Sequence, residues 1–219
     1  GRHMTALLLL LVVALVLING FFVAAEFAVV RSRPSRLQRR ADQGNKRAQR
    51  ALAQVNNVDE YVATSQVGIT LASIGLGFAG EPAIADLLDP ALGDVVGEAA
   101  SHALSFAIAF TIVTLLHVTF GEQAPKMLGI ARPETILLWI SGPMAVFRRL
   151  FTPLIMLTNA PATWLVRRVF RVDPTDVEET SAEELRLLIS RNARGGTLDP
   201  GEAGMLGGVF HLHEQEARE

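Results

Sequence analysis

Residues 5 to 30 form a run of more than one bilayer thickness that carries a single charged side chain, Glu26. About 20 consecutive apolar residues in a helix cross roughly 30 Å of hydrocarbon, so this run reads as a first membrane span. A cleaved leader ending at Val23-Ala24-Ala25 is disfavoured, because the apolar run continues past it and the basic cluster follows the run instead of preceding it. The rest of the chain agrees with a membrane setting. Half of the 219 residues are hydrophobic, 19% are charged, and the mean hydropathy is +0.32, well above the habit of soluble domains. The lack of cysteine excludes a disulfide framework and thiolate metal or redox chemistry. The leading Gly-Arg-His-Met reads as a vector remnant and is set aside.

A net charge of -2 conceals strong segregation. Residues 31 to 50, "RSRPSRLQRRADQGNKRAQR", are basic, whereas "GEPAIADLLDPALGDVVGE" carries five carboxylates and no Lys or Arg. By the positive-inside rule the basic stretch is cytoplasmic, which places the N-terminus outside. A second span over 61 to 80 returns the chain outward. The acidic segment 81 to 101 then serves as an external loop, which Pro82 and Pro90 are expected to break into short helical pieces. A third span over 102 to 121 comes back in, with Lys126 and Arg132 just beyond it.

Residues 134 to 170 are apolar but are interrupted by Gly142-Pro143, Arg148-Arg149, Pro153 and Pro161. Basic residues at both ends require an even number of crossings. Zero crossings, a helical belt along the inner interface with Trp139 and Trp164 as anchors, suits the arginines better than a hairpin. From 173 to 219 the composition turns soluble. Ser181 and Glu184 form a capping-box pattern for a helix ended by Gly195-Gly196, and Asp199-Pro200 can start another. The expected fold is therefore an all-α membrane protein with three transmembrane helices per protomer, a juxtamembrane belt and a cytoplasmic helical connector.

A polar side chain inside a bilayer is costly unless it is paired or faces water, so each one there is a candidate for function. In the first span Asn19 and Glu26 share a stripe, with Val23 between them. In the second, Gln66, Thr70, Ser73 and Gly77 line a seam. The third closes on "HVTFGEQAPK", where Gly121 and Glu122 precede Pro125. Proline cannot donate to the carbonyl four residues back, which releases the Gly121 carbonyl. Carboxylate, hydroxyl, amide and free carbonyl oxygens are the ligands that Mg2+ takes. Candidate ligands are thus Glu122, Gly121, Ser73, Thr70, Ser65, Glu26 and Asn19. Plainer readings stand beside this one. Ser65, Thr70 and Ser73 can bond their own i-4 carbonyls, Glu122 can pair with Lys126, Glu26 with Arg31 or Arg33, and His117 can be a packing residue. "GLGFAG" at 75 to 80 has no strand before it and reads as close helix packing. "HLHE" lacks metalloprotease spacing. The basic segment reads as lipid-facing, with no nucleic acid as partner.

The stretches "NGFFVAAEFAVVRSRPSRL", "ATSQVGITLASIGLGFAGEPAIADLL" and "HVTFGEQAPKMLGIARPE" resemble the transmembrane domain of the CorC/CNNM (cyclin M-like) proteins, over residues 5 to 210. The resemblance implies a homodimeric Mg2+ transporter in the bacterial inner membrane, exporting the ion in exchange for Na+. In it a dehydrated ion would sit among three spans. The family's Gly-Glu pair falls on Gly121 and Glu122, an Asn position of the second span on Ser73, and a first-span Ser position on Val23. The last two depart from the pattern. The connector resembles the one that leads to paired CBS domains, through which ATP would act; the sequence ends before them. A rival from another class is a membrane sensor or scaffold that binds Mg2+ and controls a separate transporter. An enzyme is disfavoured, since no nucleophile and base occur at convincing spacing.

Overall fold

Inside hydrocarbon no water is available to the backbone, so each spanning segment satisfies its N–H and C=O groups internally as a helix. The computed structural model describes residues 2 to 171 together with 189, 190, 201 and 205. Among these the regular elements are helical. They are α1 (Arg2–Arg31), α2 (Pro34–Asp42), α3 (Lys46–Val55), α4 (Val58–Val96), α5 (Glu98–Leu116), a π-helical turn (His117–Gln123), α6 (Ala124–Ala131), α7 (Pro133–Leu165) and a second π turn (Val166–Phe170). Residues 1 to 161 make one compact unit and 162 to 219 another. The capping box at Ser181 and the helix start at Asp199 lie outside the described residues.

The first unit is built around α1, which packs against α4, α6 and the first π turn, while α4 packs against α5. One apolar cluster joins Val12 and Val16 of α1 to Leu76 of α4 and Val113 of α5. The other joins Phe22, Ala25, Ala28 and Val29 of α1 to Leu37 of α2, Ala51 and Val55 of α3, Tyr61 of α4, and Leu137 and Met144 of α7. Small residues make this closeness possible. At Gly129 a Cβ would stand 2.8 Å from the Ala24 carbonyl oxygen, so α6 meets α1 backbone to backbone. Large apolar side chains such as Leu10, Leu17, Phe78, Phe106 and Leu115 remain exposed, as they do on helices whose outer face meets lipid instead of water.

Four helices are long and apolar enough to cross a membrane: Ala6–Arg31, Val58–Gly93, Ala100–Ala131 and Pro133–Phe170. The first matches the expected span. The second and third correct the expected boundaries, because the acidic segment is not a loop of short pieces. The α4 helix runs through both Pro82 and Pro90, and α5 starts at Glu98, so the acidic segment is part of a helical hairpin turning at Gly97. Each proline removes one ladder bond. In an apolar setting the remaining backbone groups are still better satisfied by continuing the helix than by leaving it. Asp89 fastens this hairpin, accepting hydrogen bonds from Ser101 Oγ at 2.8 Å and Ser105 Oγ at 3.4 Å and lying 2.8 Å from His102 Nδ1.

The expected belt is one continuous helix despite Pro143, Pro153 and Pro161, which removes the hairpin alternative. By length α7 also qualifies as a fourth span. Its first half, however, is tied to the basic helices. Glu134 meets Arg36, Trp139 carries the Arg47 guanidinium on its face, and the Ser141 carbonyl accepts from Gln54 Nε2 at 2.7 Å; Arg148 pairs with Glu60 at the start of α4.

Candidate functional site

Three stripes meet between α1, α4 and the first π turn, and Pro125 is the reason for the turn. Without an N–H on residue 125 the Gly121 carbonyl loses its helical partner. The ladder slips by one, so that the Ala124 N–H reaches back to the Thr119 oxygen. Such π turns concentrate at functional sites. The released Gly121 carbonyl is taken up by Asn19, whose Nδ2 donates to it at 2.9 Å. Asn19 Oδ1 in turn accepts from Ser73 Oγ at 3.2 Å, and Ser73 Oγ lies 3.4 Å from His117 Nε2. Asn19 is 1% exposed and Gly121 is buried, while Ser73 and His117 are half-buried, so the network is closed off at its Asn19–Gly121 end. A Cβ on residue 121 would lie 3.0 Å from His117 Cδ2 and 3.3 Å from Asn19 Nδ2, and glycine leaves that space to them.

Toward the ends of the same helices that carry Arg31 and Lys126 the stripes open into a groove of about 460 Å³. Its walls include Glu26 and Val23 from α1, Gln66 and Thr70 from α4, and Glu122, Gln123 and Lys126 from the π turn and α6. Glu26 shares the groove wall with Gln66 and is in none of the described ion pairs, so it is not paired with Arg31 or Arg33. The described ion pairs likewise do not couple Glu122 to Lys126. The lysine ammonium instead rests 5.0 Å from the centre of the Phe27 ring. Glu122 is left as an exposed carboxylate facing the groove.

Six of the seven candidate ligands are therefore brought together, in two adjoining groups. Asn19, Ser73 and Gly121 belong to the hydrogen-bonded network, and Glu26, Thr70 and Glu122 to the groove. Ser65 is not brought there. It is fully buried and donates to the Tyr61 carbonyl at 2.9 Å. Helical spacing carries this distinction, since a 100° step puts Gln66, Thr70 and Ser73 within an arc of about 60° and leaves Ser65 outside it. Gln66 and Gln123 are lining residues absent from the candidate ligands. Among the described residues no three His, Cys, Asp or Glu side chains cluster. The groove offers two carboxylates and the neutral oxygens of Gln66, Thr70 and Gln123, a donor set suited to a hard cation, with the Lys126 ammonium at its wall drawn onto Phe27.

The model of the cyclin M transmembrane N-terminal domain family (CNNM) matches residues 10 to 202. The chain belongs to the cyclin M family. As a cyclin M transmembrane domain it is an integral membrane protein. It is 40% identical over 215 residues to the UPF0053 protein YhdT of Bacillus subtilis (strain 168), covering 96% of this chain and 46% of that protein. It is 36% identical over 219 residues to the UPF0053 protein YrkA of the same organism, covering 99% and 50%. To the uncharacterized protein Rv1841c of Mycobacterium tuberculosis it is 36% identical over 193 residues, covering 87% and 54%. This cyclin M domain thus spans about half the length of these curated relatives.

Proposed function

We propose that this domain carries Mg2+ across the membrane, in exchange for Na+ and toward the outside, with the groove as its ion site on the cytoplasmic face. Family membership supports divalent-cation transport as the activity. The observation that carries the reading is the meeting of Glu26 and Glu122, from separate helices and in none of the described ion pairs, in one groove whose other polar lining is Gln66, Thr70, Gln123 and Lys126, the lysine resting on the Phe27 ring. At about 460 Å³, against about 30 Å³ per water, the groove suits capture of an ion that keeps several of its waters. Mg2+ gives up water reluctantly. Full dehydration would need α1, α4 and the π turn to close on the ion, with the Asn19–Ser73–Gly121 network as the fixed floor. Closure from the cytoplasm and opening toward the acidic hairpin together make an alternating-access cycle. The working unit in this reading is a homodimer, with the N-terminus outside and the C-terminus in the cytoplasm.

The test is Mg2+ flux into or out of proteoliposomes under an imposed Na+ gradient, paired with protection of the purified protein against heat by Mg2+. Wild type is expected to show both, and Glu122→Gln to lose about tenfold or more in flux together with most of the protection, as removal of a carboxylate from a two-carboxylate site implies. Equal protection of both proteins would remove Glu122 from the site. Protection without flux would favour the sensor reading over transport.

A further inference from the structure

A second polar site lies away from the groove, where α1 gives way to α2 and α6 to α7. Two adjoining cavities of about 400 and 210 Å³ share Arg36 and Glu134 in their walls. Together they are lined by Arg31, Arg33, Arg36, Arg40 and Arg132, with Glu134 as the one acidic residue in their walls. Glu134 is already engaged, 3.7 Å from Arg36, with its side chain 13% exposed. Five cations around one acid repel one another unless an anion joins them.

The arrangement is held by the fold. Leu37 and Ala41 bury one face of α2, which keeps Arg36 and Arg40, one turn apart, on the other. Pro34 and Pro133 begin α2 and α7, fixing the backbone beside Arg33 and Arg132. The position is specific as well. Arg31 closes the first candidate span and Arg132 directly follows the Ala100–Ala131 span, so the cavities lie where two spanning helices end on the same side. That is the depth of lipid phosphates. Arginine forks match phosphate oxygens in pairs, and basic pockets beside span ends on the cytoplasmic side suit acidic headgroups.

We propose that these cavities bind a phosphate-bearing anion, supplied by the headgroup of an anionic phospholipid of the cytoplasmic leaflet. Orientation by positive charge alone depends on the number of basic residues and not on which ones they are. A site depends on which ones.

The experiment compares the full chain with Arg33→Gln/Arg132→Gln, which removes two lining cations, and with Arg39→Gln/Lys46→Gln, which removes two basic residues outside the cavities. Each is titrated with phosphatidylglycerol or phosphatidylcholine in detergent, and bound lipid is counted by native mass spectrometry after gel filtration has confirmed a folded protein. Wild type and the outer pair should retain phosphatidylglycerol in preference to phosphatidylcholine. The lining pair should bind it about tenfold more weakly. Arg40→Gln alone, at an exposed position, serves if the lining pair does not fold. Equal retention of the two lipids, or equal loss in the two variant pairs, overturns the site. A third arm adds millimolar inorganic phosphate. If phosphate stabilises wild type and not the lining pair while phosphatidylglycerol is not retained, the anion site stands and its lipid source is overturned.

Discussion

Replacing Asn19 by leucine keeps the number of heavy atoms in a buried side chain while deleting its hydrogen bonds. Asn19 donates to the Gly121 carbonyl at 2.9 Å and accepts from Ser73 at 3.2 Å. Hydrogen bonds between transmembrane helices average about 0.6 kcal/mol and reach about 1.7. Stranding a buried acceptor adds roughly 1 to 3 kcal/mol, and the Gly121 carbonyl has lost its i+4 ladder partner because residue 125 is proline. Asn19→Leu should therefore destabilise the domain by about 2 to 4 kcal/mol. Ser73→Ala, which loses one bond and leaves the Asn19 amide bonded to Gly121, should cost about 0.5 to 1.5 kcal/mol. Because the two residues share a bond, their effects should not add. A double-mutant cycle, read from reversible denaturant unfolding in detergent micelles, should show a coupling of about 0.5 to 1.5 kcal/mol. Strict additivity, together with a loss below about 1 kcal/mol for Asn19→Leu, would refute the network and with it the account of how the π turn is held.

Gly129→Ala places a methyl group 2.8 Å from the Ala24 oxygen and 3.1 Å from Phe27 Cβ; since backbone cannot swing aside, α6 must lift from α1 at a cost of about 1 to 3 kcal/mol. A clearly lower unfolding temperature checks this, and an unchanged one would show that α6 is not seated on α1. Glu60→Gln removes the partner of Arg148, but the two side chains are 46% and 35% exposed, so the loss should stay at or below about 1 kcal/mol. It should shrink further in high salt, because an exposed pair is screened.

Much of this site is legible in the sequence, and the reasons are specific. Asn19, Val23 and Glu26 fall on one stripe because a helix repeats every 3.6 residues, and the structure puts that stripe against α4 and the π turn. Pro125 announces the released carbonyl of Gly121, since the missing N–H is a covalent fact. The partner of that carbonyl is another matter. Whether it meets an ion, a water or Asn19 depends on how α1 lies against residues 117 to 123, and no local pattern encodes that angle. The same holds for charge. Spacing allows Glu122 to pair with Lys126, yet packing draws the lysine onto Phe27.

By itself the sequence determined that the chain enters a membrane and is helical, because apolar length and unsatisfied backbone groups leave no other solution in hydrocarbon. It also determined which residues share a helical face. The tertiary structure alone decided that α4 and α7 run through their prolines, that the face with Gln66 and Thr70 is the one that meets the groove, and that five arginines from two distant stretches converge. Periodicity is a property of one helix, whereas a site is a property of the space between several. That space is set by small residues such as Gly129 and Ala25, whose contacts form only once the helices have met.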